Sequence, residues 1–253
     1  MTTSRLTAYW RDMLRWDDFA GADDALNGLQ VDNDGAPIAK VAFAVDACLE
    51  SIEAAANVDA GALFVHHGLF WGKSEAVAGS MRRRIERLLR ANIALYAVHL
   101  PLDQHPMLGN NAALADLLGI AAPVPFGEYH GRKIGYKGDL TAPLTLDEAV
   151  ERISFKNRPA NAVLPFGPSP CRTCAVVSGG AAFEAFQALA EGVDLYVTGE
   201  ITHTLYHYAL EGKLNIIAGG HYSTEVWGVR RVMAKLAEDA GLEVEFIDLP
   251  TGL

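Results

Sequence analysis

The chain has 253 residues, half of them apolar and 21% charged, with a formal net charge of −10. That length allows one large domain or two modest ones with ample core. The acidic balance argues against tight sequence-independent nucleic-acid binding, which rests on basic phosphate contacts, and no apolar stretch approaches the roughly 18–20 residues a membrane helix needs.

The first sixteen residues mix charge with aromatics and lack a signal-type apolar segment, so a cytoplasmic protein is expected. Residues 41–45 read as a buried strand, 49–56 carry helical spacing, and 62–65 form a second apolar strand. The basic run Arg82-Arg83-Arg84 lies beside Ile85, Leu88 and Leu89, the pattern of a helix with a solvated face. A third strand spans 93–98. Gly109-Asn110-Asn111 then opens a helix over 112–118, with an asparagine as its expected cap.

The middle is rich in proline. Within it, residues 132–140 alternate like a strand, and 146–153 read as a helix capped by Thr145. Beyond it come a strand at 175–177, helical spacing over 183–189, and strands at 194–197 and 214–218. A helix over 226–240 ends at Gly241, and a last strand covers 244–247. Three cysteines argue against a disulfide framework. Cys171 and Cys174 make a single C-x-x-C, which cannot complete an all-cysteine zinc site, so both are expected as structural thiols and Cys48 as core packing.

The two ends of the chain share a plan. Val45 to Val65 and Val177 to Val197 are both separated by 20 positions, and each half reads β-α-β-α-β. Crossover helices imply mostly parallel pairing. The expected fold is α/β: residues 1–122 as a first half, 123–170 as a connecting insertion with short strands and a helix, and 171–253 as a second half. A pseudo-twofold would relate the halves, with mostly parallel or mixed sheets and a metal site in the cleft.

Side chains of metal-binding type end three of the apolar runs, where α/β folds gather ligands. His66 and His67 follow 62–65. Adjacent buried imidazoles are awkward as core because each needs polar partners, although a surface turn would also hold them. Asp103 follows the apolar run from Ile93, stiffened by Pro101, and a carboxylate there could bridge two cations. His221 and Glu225 are four apart, so one helical turn stacks them on one side; a carboxylate that merely favours the helix N-terminus is the alternative. Three imidazoles and two carboxylates exceed one tetrahedral site, and two divalent ions about 3.5–4 Å apart suit hydrolysis. Zinc, iron and manganese all accept such donors. His99, Glu200 and His203 are candidates for proton transfer or for orienting a ligand, while His105 and His207 read as surface residues.

At these residues the sequence resembles the dinuclear-metal proteins known as type 2 GTP cyclohydrolase I, also called NGG-interacting-factor-three-like proteins. The matching segments are Asn27-Gly-Leu-Gln30, Phe64-Val-His-His-Gly68, His99-Leu-Pro-Leu-Asp103 with Gly109-Asn-Asn111, Thr198-Gly-Glu200, and Gly220-His-Tyr-Ser-Thr-Glu225. The resemblance implies metal ligation by His66, His67, Asp103, His221 and Glu225, two α/β halves, and a homohexamer. Two departures stand out: Thr202 precedes His203 where the family often has a lysine or arginine, and Asn110-Asn111 stands where an Asn-Asp pair is common.

Two functions follow. One is a metal-dependent hydrolase acting on a nucleotide-like small molecule, either opening a purine ring at C8 with release of formate or cleaving a phosphoester. No P-loop is present to hold a triphosphate, so Arg132, Lys133 and Arg230 are the candidate phosphate contacts. The other is a non-catalytic metal-containing binding or regulatory protein.

Overall fold

The computed structural model describes all 253 residues. The chain runs α1 (Thr3–Leu14), β1 (Gly28–Val31), β2 (Lys40–Asp46), α2 (Leu49–Asn57), β3 (Ala62–His67), α3 (Gly79–Ala91), β4 (Ala94–Ala97), α4 (Leu100–Gln104), α5 (Asn110–Leu118) and β5 (Val124–Tyr129). It continues through β6 (Arg132–Leu144), α6 (Leu146–Ile153), β7 (Ala162–Leu164), β8 (Cys171–Val177), α7 (Ala185–Glu191), β9 (Leu195–Thr198), α8 (Leu205–Gly212), β10 (Asn215–Ala218), α9 (His221–Ala240) and β11 (Glu243–Phe246). Contacts divide it into two compact units, Met1–Leu102 with Val229–Leu249, and Asp103–Gly228 with Pro250–Leu253. No helix is long and apolar enough to cross a membrane.

The first unit holds a mixed five-stranded sheet in the order β1-β4-β3-β2-β11. Its β2, β3 and β4 are parallel and β1 is antiparallel to β4. Register places Phe43 beside Phe64 and Phe64 beside Tyr96, so strand alternation lines three rings along one face. Trp10 of α1 packs on that row, 4.7 Å from Tyr96 and 4.9 Å from Phe64 between ring centroids. The opposite face presents Ala42, Leu63, Val65 and Leu95 to Ile52 and Ala55 of α2 and Leu88 of α3. Covering both faces is what a parallel core requires. Arg82 and Arg90 of α3 bracket Glu86 at 3.1 and 2.7 Å, as the solvated face of that helix predicts.

The second unit holds a six-stranded mixed sheet in the order β5-β6-β8-β9-β10-β7. Its β8, β9 and β10 are parallel. Val41 pairs with Ala62 in one sheet and Cys174 with Leu195 in the other, both 21 positions apart, so the two crossovers are equal in length, with Val65 and Val197 opposite Ala44 and Val176 rather than opposite Val45 and Val177. α5 and α6 cover one face through Leu114, Leu118, Ala149 and Ile153. The capping box expected at Thr145 forms, with Glu148 Oε2 accepting the Thr145 N–H at 2.8 Å and Thr145 Oγ1 accepting the Glu148 N–H.

The compact units are drawn differently from the expected 1–122, 123–170 and 171–253. β5 and β6 hydrogen-bond onto β8, and β7 pairs with β10, so the proline-rich middle builds the second sheet rather than a separate insertion. β11 runs parallel to β2 in the first sheet, because the outer edge of β2 offers unpaired main chain that a C-terminal strand can satisfy. α9 begins at His221, not 226, since its polar first turn hides the helical period. Cys48 is not core; its thiol caps α2 by accepting the Ser51 N–H at 3.3 Å. Cys171 and Cys174 are fully buried in the β8 core, where burial pushes both thiols up in pKa.

Asn110 and Asn111 do not act as caps either; Gly109 holds that position. Both are fully buried. Asn111 Nδ2 donates to the Ile134 carbonyl at 2.8 Å and its Oδ1 accepts the Ser178 N–H at 2.7 Å, joining α5 to β6 and to the end of β8. Asn111→Ala would strand both backbone groups, and a buried unsatisfied group costs about 1–3 kcal/mol. The expected loss in urea unfolding is therefore about 3 kcal/mol; a loss below about 1 kcal/mol would show that this cross-link carries little of the unit's stability.

Candidate metal centre

In the first unit, the carboxyl ends of β2, β3 and β4 deliver Asp46, His66-His67 and His99. Alternation alone would send His66 and His67 to opposite faces, yet at the end of β3 their ring centroids lie 4.6 Å apart. One ligand atom each from His66, His67 and His99 falls within 4.8 Å of the others. His66 is fully buried. Gly68 lets the chain turn here, because a Cβ would run into Gln30 and Ala97. Gln30 Oε1 accepts the Leu69 N–H at 2.7 Å, and Asn27 Oδ1 accepts the His99 N–H at 2.7 Å. These bonds account for the Asn27-Gly-Leu-Gln30 motif as a brace on two strand ends.

All three rings are held in the same way. His66 Nδ1 lies 2.9 Å from the Val98 carbonyl, His67 Nδ1 2.8 Å from Asp46 Oδ1, and His99 Nδ1 2.9 Å from Asp23 Oδ1. A carbonyl or carboxylate oxygen only accepts, so each Nδ1 carries the proton and the lone pair rests on Nε2. That is the arrangement of ligating histidines. Asp23 is nearly inaccessible, its side chain 2% exposed. Burial pushes its carboxyl up, but His99, Asn27 and the Ala25 N–H outweigh this and hold it below the usual carboxylate range. The Trp71 indole donates to the Gly68 carbonyl at 3.1 Å and packs 5.0 Å from His99 and 5.9 Å from His67 between centroids.

In the second unit the carboxyl ends of β8, β9 and β10 lead to Ser178, Glu200 and His221. Gly179 is required: a Cβ there would collide with Glu225 Oε1 and stand 3.3 Å from His221 Nε2. Its N–H donates to Thr224 Oγ1 at 3.0 Å, and that hydroxyl bonds the Gly220 carbonyl at 2.9 Å, locking the start of α9. His221 and Glu225 sit on one turn as expected, Nε2 to Oε2 3.3 Å. His221 Nδ1 is bound by Glu200 Oε1 at 2.6 Å, which makes it the fourth imidazole anchored through Nδ1. Burial pulls its pKa down, but Glu225 and then Glu200 outweigh burial and push it up to about 9.

Asp103 lies in α4 rather than at the strand end, because β4 stops at Ala97. It is buried. Its Oδ1 accepts from Asn110 Nδ2 at 2.9 Å and from Ser178 Oγ at 3.0 Å, fixing the carboxylate plane. His99, expected as a proton-transfer or ligand-orienting group, lies with His66 and His67 in the imidazole cluster. Glu200 orients His221. His203 is exposed in the turn before α8 and stands outside the Glu200–His221–Glu225 chain. His207 is exposed on α8, as expected, and half-buried His105 caps the Leu108 N–H through Nδ1 at 2.9 Å. The supporting residues Asp23, Asp46 and Ser178 were not singled out from the sequence, and Asn110 was read there as a helix cap rather than as a partner of Asp103. Only Asp46 carried a readable signal, an acid closing an apolar run.

Imidazoles presenting Nε2, together with buried carboxylates, make a mixed borderline and hard donor set that suits a first-row divalent ion. Two expectations follow. Titrating Cu(II) into metal-free protein quenches Trp71 fluorescence, and His66→Ala with His67→Ala removes that quenching; retained quenching would place copper elsewhere. The raised His221 pKa means its charged form stabilises the metal-free fold fully below pH 6.5, and this is lost as pH rises through about 9. Melting temperature should fall across that window, and Glu225→Gln should flatten the fall; an unchanged slope in the variant would contradict the pairing.

A family model for Duf34/NIF3 (NGG1p interacting factor 3) matches residues 1–251. The GTP cyclohydrolase 1 type 2 homolog of Treponema pallidum (strain Nichols) is 43% identical, with 100% of both chains covered. That of Pyrococcus horikoshii is 46% identical over 91% of this chain and 92% of its own. Among solved structures, a protein from Thermus thermophilus is 36% identical with a TM-score of 0.89 and 100% of each chain covered. Reduced HcgD from Methanocaldococcus jannaschii is 27% identical with a TM-score of 0.84 over 98% of each. The match to the family model over nearly the whole length, joined to relatives above 40% identity, makes this chain a member of the Duf34/NIF3 family.

Proposed function

We propose that this protein is a metal-dependent hydrolase of a nucleotide-like substrate, holding two divalent ions through His66, His67, Asp103, His221 and Glu225. The observation that carries the reading is the common anchoring of His66, His67, His99 and His221 through Nδ1. Purely structural histidines have no need of a proton held on Nδ1 in every ring. When bound, paired divalent ions acidify a water toward neutrality and polarise the scissile group.

The chain's own groups supply positioning and proton handling. Asp23 and Asp46 keep their imidazoles in the Nδ1–H tautomer and fix the ring orientation. Asn110 and Ser178 keep the Asp103 carboxylate from rotating. Glu200 is half-exposed, with 49% of its side chain accessible, and is the carboxylate best placed to take a proton from an attacking water and return it to a leaving group. The curated relatives are named GTP cyclohydrolase 1 type 2 homologs, and for this chain that name supports attack of water at a purine C8, ring opening and release of formate. Assembly into a homo-oligomer, a hexamer by family resemblance, belongs to the same proposal; the exposed Phe183, Tyr206, Tyr208 and Leu210 offer apolar surface for it.

The test is turnover by protein reconstituted with Zn(II), Mn(II) or Fe(II), assaying formate from GTP and products from a phosphoester panel. The proposal expects activity that chelation abolishes, with Glu200→Gln lowering kcat by about 10²–10⁴ in protein saturated with metal. Bound metal with no turnover on any substrate would instead favour a non-catalytic metal-containing binding protein.

A further inference from the structure

The candidate ligands of the second unit come from two elements, Asp103 from α4 and His221 with Glu225 from α9. One carboxylate oxygen of Asp103 and one of Glu225 lie within 4.8 Å of each other. Helical spacing puts Gly228 on the same stripe of α9 as His221 and Glu225. Asn110, fully buried at the start of α5, touches both elements. Its Nδ2 donates to Asp103 Oδ1 at 2.9 Å, and its Oδ1 accepts the Gly228 N–H at 2.7 Å. An ionised carboxylate only accepts and a main-chain N–H only donates, so the amide has one orientation. Flipped, it would set like against like at both ends.

Gly228 is what lets Asn110 come so close. A Cβ there would stand 2.7 Å from Asn110 Oδ1 and 2.9 Å from the Asn110 main-chain nitrogen, nearer than a side-chain carbon can sit. Glycine is a poor helix former away from helix ends, and Gly228 is the eighth of the 20 residues of α9. Its backbone is not left-handed, so no turn calls for it; the approach of Asn110 does. A second route joins the same parts: Ser178 Oγ donates to Asp103 Oδ1 at 3.0 Å, and the Gly179 N–H donates to Thr224 Oγ1 of α9 at 3.0 Å. The Asn110 route is the one in which a single side chain spans the whole distance.

Resting on the metal-dependent reading, we propose that Asn110 and Gly228 form a positioning link that holds the Asp103 carboxylate in register with the His221–Glu225 stripe of α9. Asn110 acts through Asp103 on one side and through the helix on the other, and it need not touch an ion. The separation of the two carboxylates is then set before a divalent ion arrives, and neither can shift without breaking a buried hydrogen bond.

The test is Co(II) titration of the metal-free protein, read by the visible absorption of the bound ion, which reports its donors and geometry. Urea unfolding of each metal-free variant runs alongside. Asn110→Ala should weaken Co(II) binding by about 10–100-fold, the usual cost of losing a ligand's supporting partner, and shift the visible bands. Gly228→Ala takes no polar group from Asp103 or Glu225, yet should weaken Co(II) by at least about tenfold, because its Cβ displaces Asn110. In the double variant the two losses should fall short of their sum, since both break one link. Leu118→Ala, a core truncation on the same helix, should lower stability and leave Co(II) affinity and spectrum as in the wild type. Wild-type Co(II) binding by Gly228→Ala, fully additive losses, or equal weakening by Leu118→Ala would overturn the link. If Asn110→Ala does not fold, the contrast between Gly228→Ala and Leu118→Ala decides. Wild-type protein that takes up no Co(II) would sink the metal reading and the link with it. Co(II) binding that responds as expected without turnover of any substrate leaves the link standing while the hydrolase reading fails.

Discussion

His66, His67, His99 and His221 each place Nδ1 2.6–2.9 Å from an oxygen that can only accept a hydrogen bond. This constraint fixes a proton on Nδ1 and the ring against rotation; in His66, His67 and His99 it leaves the lone pair on Nε2, whereas His221 Nε2 faces Glu225 Oε2 at 3.3 Å and holds a second proton in the metal-free protein. A histidine in the other tautomer would set a lone pair against an oxygen lone pair, inside a region where His66 has no access to water. An unpaired polar atom at such depth costs about 1–3 kcal/mol. The tautomer is therefore set by the fold before any ligand arrives, which reduces what metal binding must reorganise.

Three of the four anchors come from the same strand ends as the imidazoles, and the fourth, Asp23, comes from the segment before β1. Asp46 closes β2, Val98 follows β4, and Glu200 follows β9. Each unit runs three adjacent parallel strands to one edge, and the first crossover in each joins residues 21 apart. Parallel pairing matters because it brings three strand ends to the same side, so that residues distant in sequence share one small volume. Glycines at 68 and 179 then make the last step possible. A Cβ at either would overlap a neighbouring side chain, Gln30 at the first and Glu225 at the second.

Much of this was legible in the sequence because it depends on local pattern. The run from Ala62 to Val65 is apolar at every position since β3 is covered on both faces, and the histidines at its end broke that pattern visibly. His221 and Glu225 showed themselves by helical spacing. What was hidden depends on partners far along the chain. Asn110 and Asn111 look like helix caps in isolation, and only the positions of Asp103, Ile134 and Ser178 make them buried cross-links. Asp23 is one acid among many until His99 and Leu100 turn toward it. The pairing of β11 with β2 joins residues about two hundred positions apart, and neither strand's composition marks its neighbour.

The most direct measurement is ¹⁵N NMR of protein labelled at histidine, prepared without metal and then titrated with Zn(II). Long-range ¹H–¹⁵N correlations report which ring nitrogen carries the proton. His66, His67 and His99 should show the Nδ1–H tautomer, and His221 should be doubly protonated at neutral pH; zinc should then shift Nε2 of His66, His67 and His221 while Nδ1 keeps its proton. An Nε2–H tautomer at His66 and His67, or imidazole resonances that zinc leaves in place, would contradict the account at its base.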